Sequence, residues 1–391
     1  MNNIFDDADE LFDINEVTGT TAEIITTRPN DNVFKPWHKP RKQLIRDKQW
    51  KTQLSRLLHQ SLKDLNTIRY FGLPGEDLLD VIYLSKMLEE KHNNKKLNIY
   101  GFINSKESKN KADVNLTRLL DQHNIDPQSQ IDHMEFEAIE NDTSLALARL
   151  RANGAYHVIN LDFCDAVFKI KTLKSIRNLL NVQFNRQVGS PWLLYLTTRG
   201  DKDSVSADLH DQLNNHIYKS GLCHDAHFIG ALEEHWITIH TYAMEQKELF
   251  NGTLPDNVVA DILQACLIFW IIHFSHSGHS RVELLSVYKY RVHDGNNYPD
   301  MFSYVFKIST LDRRTNDDSG LLPADNPPPV LSDEDKKIDK CRAIRRLARS
   351  NDVDQYLRDT PDEMRKYADE MKTLLQGVGL DVSKYDNEMM I

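Results

Sequence analysis

Residues Asn66 to Val81 read NTIRYFGLPGEDLLDV, and the reading of this stretch decides the fold. An apolar run ends at Gly72, passes through Pro74-Gly75, and restarts at helical spacing with Leu78, Leu79 and Ile82. That order predicts a strand passing into a helix through a tight loop. Glycines in such a loop permit close backbone approach, and the first amides of the helix are free to meet a ligand. Glu76 and Asp77 place negative charge at the helix start, where they can cap it and would repel a phosphate. Two readings stay open: a ligand loop for something other than phosphate, or a plain strand-to-helix turn with a capping acid.

Outward from this stretch the sequence alternates. NTIRYFG reads as a strand, EDLLDVIYLSKMLEEK as a helix, LNIYGFIN as a strand, VNLTRLLDQH as a helix, IDHMEFEAI as a strand and SLALARLRANG as a helix. AYHVINLDF then reads as a strand, FKIKTLKSIRNLLNVQFNR as a helix and SPWLLYLTT as a strand. Successive strand-helix units require a parallel sheet covered on both faces, because parallel neighbours need crossover connections. A mainly helical insertion over residues 202–274 follows. RVELLSVYKYRV and DMFSYVFKIS, separated by HDGNNYP with its turn chemistry, then predict an antiparallel hairpin closing the sheet. In the second run Phe302, Tyr304, Phe306 and Ile308 share one face, and Ser303, Val305 and Lys307 the other. The expected fold class is α/β: a mostly parallel, Rossmann-like sheet with helices on both faces, a terminal antiparallel hairpin, a helical insertion and a helical C-terminal tail. Its expected divisions are a mobile acidic N-terminus (1–33), a basic-aromatic arm and helix (34–65, the helix from about 41 to 63), the α/β domain (66–310), a linker (311–330) and a charged tail (331–391).

A chain of 391 residues that is 40% hydrophobic can bury a large core. Its net charge of −10 argues against the whole chain coating nucleic acid, while leaving room for a local basic arm. The four cysteines, Cys164, Cys223, Cys266 and Cys341, form no CxxC pair, which speaks against a disulfide framework or a cysteine zinc knuckle and fits a reducing, cytoplasmic setting. The acidic start lacks the order of an export signal. Val258 to Phe274 is the most apolar segment, but Asp261 and Gln264 interrupt it, so a buried helix is expected rather than a membrane anchor.

The sequence of parallel units, extra helical segment and terminal reversed strand resembles the class I S-adenosylmethionine-dependent methyltransferases over about residues 66–309. In that family a Gly-x-Gly-x-Gly loop after the first strand approaches the methionine part of the cofactor. The resemblance places Gly72 and Gly75 there, although the tight spacing is lost; Glu76 and Asp77 do not disfavour a cationic sulfonium. It assigns Asn104, where the family has a ribose-binding acid, to the ribose, and Asn141 and Asp142 to the adenine; Asp142 is equally a helix N-cap. HVINLDFCDAVF carries Asn160, Asp162 and Phe163 to the end of a strand, similar to the family's fourth motif. The Asn-x-x-Phe spacing resembles the Asn/Asp-Pro-Pro-Tyr/Phe loop of amino-group methyltransferases, and Leu-Asp-Phe a segment of some tRNA guanine methyltransferases; both prolines are missing. The resemblance implies catalytic roles for Asn160, Asp162 and Phe163, with S-adenosylmethionine as cofactor and Asp162 orienting or deprotonating the acceptor. KPWHKPRKQ, LPGEDLLD and NLDFCD are also loosely similar to uncharacterised bacterial proteins associated with antiphage defence.

KPWHKPRKQLIRDKQWK interleaves basic and aromatic residues, and Lys35, Trp37, His38, Lys39, Arg41, Lys42 and Arg46 are therefore candidates for nucleic-acid contact. A solvated helix face is the alternative. RAIRRLARS is a second, less aromatic patch, and the C-terminal tail a candidate surface for a protein partner. His273, His276 and His279 are spaced like metal ligands, with Cys223, His224, His227, His235 and His240 upstream. Ser277-Gly278 breaks the spacing and no HExxH motif is present, so no metal is expected. Two functions follow: a methyltransferase acting on nucleic acid, or a binding or scaffold protein of the same fold without turnover.

Overall fold

In the computed structural model, residues 34–186, 190–293, 297–311 and 330–390 are described. The acidic N-terminus, the Asp294-Gly295 turn and nearly all of the expected linker lie outside them. Among the described residues, β1 (Thr67–Gly72), β2 (Lys96–Ile103), β3 (Gln130–His133), β4 (Val158–Ala166), β5 (Trp192–Arg199), β6 (Ser280–Tyr290), β7 (Met301–Thr310) and β8 (Asn351–Asp352) form one sheet. Its order is β3-β2-β1-β4-β5-β7-β6-β8. β1 to β5 pair in parallel, whereas β7 is antiparallel to both β5 and β6. The fold is the expected Rossmann-like α/β sheet with its terminal hairpin. The second hairpin strand, β7, slots between β5 and β6, so β6 again runs with the parallel set.

Alternation along the strands sorts side chains into two cores. Phe71, Ile159, Leu194, Leu196, Phe302, Tyr304, Phe306 and Ile308 enter one; Ile68, Tyr70, Val158, Leu193, Tyr195 and Val305 enter the other. Helices α3 (Leu79–Lys91), α4 (Lys106–Leu120), α5 (Leu145–Asn153) and α6 (Ile170–Arg186) supply the crossovers. IDHMEFEAI is corrected: only Gln130–His133 is strand, and Phe136–Glu140 turns into a short 3-10 helix whose Phe136 and Ile139 are buried. The insertion contains α7 (Ala226–His235), α8 (Ile237–Glu245) and α9 (Asp256–Ser277). α9 is long and apolar enough to cross a membrane by composition, but most of it is buried within the protein. Its Gln264 is satisfied there by the Tyr304 hydroxyl and the Gly200 carbonyl.

The expected arm is corrected most. α1 (Pro40–Leu44), a π-helical stretch Ile45–Lys51 and α2 (Thr52–Gln60) run continuously and lie against the sheet. Gln49 donates to the Ser303 carbonyl at 2.9 Å, and Tyr195 donates to the Trp50 carbonyl at 2.9 Å beneath a stacked ring pair. The tail is not a separate piece either. Residues from Lys35 onward form one compact unit, in which α10 (Asp333–Ala348) packs on α7 and β6. α11 (Val353–Asp359) and α12 (Pro361–Gly377) place Val353, Leu357 and Tyr367 in the second core. Tyr367 donates to Asp47 at 3.0 Å, and Tyr385 of α13 (Tyr385–Met389) to the His38 carbonyl at 2.6 Å.

Candidate active site

Winding reverses at β1: β2 and β3 are laid down on one side and β4 and β5 on the other. A crevice opens outside the carboxyl ends of the strands at such a point. Here it is a cavity of about 410 Å³. The β1 loop contributes Leu73 to Leu78, and the start of α3 adds Leu79 and Asp80. Phe102, Ile103 and Asn104 come from the end of β2, Met134, Phe136 and Glu137 from beyond β3, and Asp162, Phe163 and Cys164 from β4. Lys35, Trp37 and Arg46 of the N-terminal segment complete the wall.

The loop geometry answers the question posed by FGLPG. Leu73 N–H still bonds the Asn160 carbonyl at 3.1 Å, and Leu78 N–H bonds the Gly75 carbonyl at 3.1 Å. Leu78 sits at φ +52°, in the left-handed region that a non-glycine residue rarely occupies. α3 has no side-chain cap, which corrects the expectation that Glu76 or Asp77 caps it. Asp77 instead accepts from or pairs with His38 Nε2 at 2.9 Å, and Glu76 accepts from the Ser108 hydroxyl at 3.0 Å. Pro74 lies over Gly101 of β2, where a Cβ would come within 2.9 Å of the proline ring.

Beneath the cavity runs a layer of buried ion pairs. Lys42 Nζ meets Asp162 Oδ1 at 2.5 Å and lies 4.8 Å from the centre of the Trp50 ring. Burial works against the Lys42 charge, but Asp162, Tyr290 and Asp80 outweigh it and hold the pKa above its usual value. Arg46 Nε meets Asp80 Oδ1 at 2.5 Å. Asn160 donates to the Tyr70 hydroxyl at 3.0 Å and reaches Asp80 Oδ2 at 3.3 Å. Burial, then Asp80, drives the Tyr70 phenol well above its ordinary pKa, so it stays protonated. Farther out, Arg41 pairs with Asp354.

The cavity thus gathers Gly75, Asn104, Asp162 and Phe163 from the expected site. The others stand elsewhere. Asn160 is buried under the cavity wall within the Tyr70–Asp80 network, so its expected contact with an acceptor is corrected to a structural role. Gly72 does not line the cavity; its missing Cβ makes room for the Tyr70 ring, which would lie 2.8 Å away. Asn141 is an exposed turn residue accepting from Thr143, and Asp142 lies near Asn178 on α6, away from the cavity. Ser144, not Asp142, caps α5.

His38, Arg41, Lys42 and Arg46 are buried and matched with carboxylates, so their proposed grip on nucleic acid is corrected: these side chains do not reach solvent. Lys35 and Trp37 face the cavity, and Lys39 remains partly exposed. In contrast, Arg342, Arg345 and Arg346 on α10 and Arg349 just after it are exposed and make no side-chain ion pair or hydrogen bond among the described residues. Glu76, Asp80, Met134, Phe136, Glu137 and Cys164 were not singled out for the site; the GEDLLD acids at helical spacing were the available signal for two of them. Among the histidines, His276 pairs with Asp339 at 3.2 Å, and His235 comes together with Glu234 and Cys341, ligand atoms within 4.8 Å of one another.

A sequence profile described as PP_RS20740-like matches residues 31–390. No curated protein matches. Among solved structures, a putative caffeoyl-CoA O-methyltransferase from Staphylococcus aureus aligns at TM-score 0.31 and 9% identity, over 66% of this chain and 82% of that one. The methyltransferase domain of bacterial CtHen1-CN aligns at 0.32 and 12%, over 67% and 98%. A putative class I S-adenosylmethionine-dependent methyltransferase from Listeria monocytogenes aligns at 0.32 and 9%, over 76% and 70%. Likenesses this distant carry no argument about chemistry, and the fold rests on the strand order itself. The chain belongs to the PP_RS20740-like family.

Proposed function

We propose that this member of the PP_RS20740-like family is an S-adenosylmethionine-dependent methyltransferase whose cofactor occupies the cavity above β1, β2 and β4. The observation that carries the reading is the cavity's place and charge. It lies at the switch point of the sheet and falls within the roughly 300–1,000 Å³ of small-molecule sites. Its wall holds five carboxylates, Glu76, Asp77, Asp80, Glu137 and Asp162, against the two cations Lys35 and Arg46. Asp77, Asp80 and Asp162 are matched by His38, Arg46 and Lys42, so the lean toward a ligand with positive charge, as a sulfonium has, comes from Glu76, which shares the partly exposed Lys111, and from Glu137.

The residues present fit the cofactor in parts. Phe102, Met134 and Phe136 offer an apolar wall for a base, and Asn104 and Ser108 offer polar groups for ribose hydroxyls. When bound, the cofactor supplies an electrophilic methyl group. Phe163 stands edge-on to Phe136 at 5.4 Å and presents a flat apolar surface against which a planar acceptor can lie. Asp162, anchored by Lys42, accepts a hydrogen bond from the acceptor and fixes its approach, and positioning of this kind supplies much of the acceleration in a transfer reaction. The unpaired arginines of α10 support a polyanionic acceptor, nucleic acid, more than the buried N-terminal cations do.

One observation favours a second reading, a binding protein without turnover: the Lys42 ammonium already occupies Asp162 Oδ1. Incubating the full chain with methyl-labelled S-adenosylmethionine and bacterial nucleic acid separates the two. Label transferred to nucleic acid, and lost in Phe163→Ala, supports the enzyme. Cofactor binding with no transfer to nucleic acid or protein supports the second reading.

A further inference from the structure

Among the described residues, two buried donors on the cavity wall have no partner. Arg46 is only 2% exposed, and while its Nε is bonded to Asp80, its Nη1 is buried with no partner. Trp37 Nε1 is likewise buried and unpartnered. Both residues line the cavity, and both belong to the N-terminal segment rather than to the sheet. Each stands beside the β1 loop or the helix it leads into: Trp37 Nε1 lies 3.8 Å from where a Cβ on Gly75 would be, and Arg46 is tied to Asp80 in the first turn of α3. A buried donor without an acceptor is costly, more so on a charged group. On a cavity wall, a bound ligand is one way to satisfy such donors.

We infer that Arg46 and Trp37 form an anion anchor at the β1-loop end of the cavity, and that the ligand presents a carboxylate there. This rests on the methyltransferase reading and deepens it: the N-terminal segment becomes part of the binding site, holding the amino-acid carboxylate of the cofactor. The planar guanidinium suits a carboxylate, and the indole N–H adds a second donor. The surrounding Asp77 and Asp80 are already engaged by His38 and Arg46. Arg46 uses only its Nε on Asp80, which leaves Nη1 to donate to the ligand.

The test compares S-adenosylmethionine with its decarboxylated form, which differs only in lacking the carboxylate, by calorimetric titration of the full chain. Wild type is expected to bind the carboxylated form about tenfold to a hundredfold more tightly, the range of a charge-assisted hydrogen bond. Arg46→Lys should remove most of that preference while leaving affinity for the decarboxylated form nearly unchanged. Because Arg46 also holds Asp80, Trp37→Phe is the second variant; it keeps a smaller aromatic ring, removes the N–H donor, and should reduce the preference severalfold, a ratio between the two forms in which the loss of ring contact common to both cancels. Equal binding of both forms by wild type, or a preference that neither variant changes, overturns the anchor and leaves the methyltransferase reading standing. Failure of wild type to bind either form overturns both.

Discussion

The molecule carries two basic stretches of similar composition and opposite fate. KPWHKPRKQLIRDKQWK is folded under the cavity with His38, Arg41, Lys42 and Arg46 buried and each opposite a carboxylate. RAIRRLARS leaves Arg342, Arg345, Arg346 and Arg349 in solvent with no ion-pair partner among the described residues. The difference lies outside both stretches. The first meets Asp77, Asp80, Asp162 and Asp354, which are distant in sequence and arrive only through the tertiary fold. The second keeps its apolar positions Ala343, Ile344 and Leu347 for the core and its charges for water. A charge run is therefore a statement about composition, and burial is decided by whether the fold delivers counter-charges.

The largest expected effect tests that contrast directly. Arg46→Ala strands Asp80 beneath the cavity and should cost about 3–5 kcal/mol in urea unfolding, as breaking one side of a buried pair does. Arg345→Ala should stay within about 0.5 kcal/mol of wild type. Equal effects at the two sites would break the comparison.

A half-buried base without a carboxylate gives the next largest effect. Burial, with Arg69 beside it, pushes His157 down to about 4. In the unfolded chain a histidine takes up its proton near 6.5, so between these values the unfolded state binds more protons. His157 thus contributes stability that is complete above pH 6.5 and is lost as pH falls toward 4, by at most about 3 kcal/mol and less for its partial exposure. Comparing urea midpoints at pH 7 and 4.5 checks this. His157→Gln, which retains an acceptor for the Arg69 N–H, should flatten that part of the profile.

The Lys42–Asp162 pair should show coupling of about 1–3 kcal/mol in a double-mutant cycle with Lys42→Met and Asp162→Asn. Independent effects would mean that the ammonium and carboxylate do not depend on each other. The smallest stability effect belongs to α10. Reversing Arg342 and Arg346 to Glu should leave the melting temperature unchanged, yet weaken a gel shift with nucleic acid and lower its salt slope by roughly one per lost phosphate contact.

The sheet was legible because its signals are local. Apolar runs broken by Gly, Pro and helical periodicity place β1, β2, β4 and β5, and the even spacing of Phe302, Tyr304, Phe306 and Ile308 names one face of β7. IDHMEFEAI misled because Phe136 and Ile139 are buried by a short helical turn as readily as by a strand. The candidate site was legible in part, since residues at strand ends, Gly75, Asn104, Asp162 and Phe163, reach the cavity by topology alone. Asn160 shares a face with Asp162 but lies two residues deeper in β4, paired with Gly72 and Tyr195, so it is buried below the strand tip and does not reach the cavity. Arg46 and Trp37 were noticed for their charge and aromaticity, but their place in the cavity wall depends on how the N-terminal helix docks, and no local pattern encodes that.

The central claim is that the hollow above β1, β2 and β4 binds S-adenosylmethionine. Calorimetric titration of the full chain with S-adenosylmethionine tests it, with Gly75→Trp as the control that fills this hollow from a position where a Cβ meets only Trp37 Nε1. The account predicts saturable one-to-one binding in the micromolar range that Gly75→Trp abolishes while the protein stays folded. Heat indistinguishable from dilution in wild type, or binding that survives the tryptophan unchanged, would contradict it.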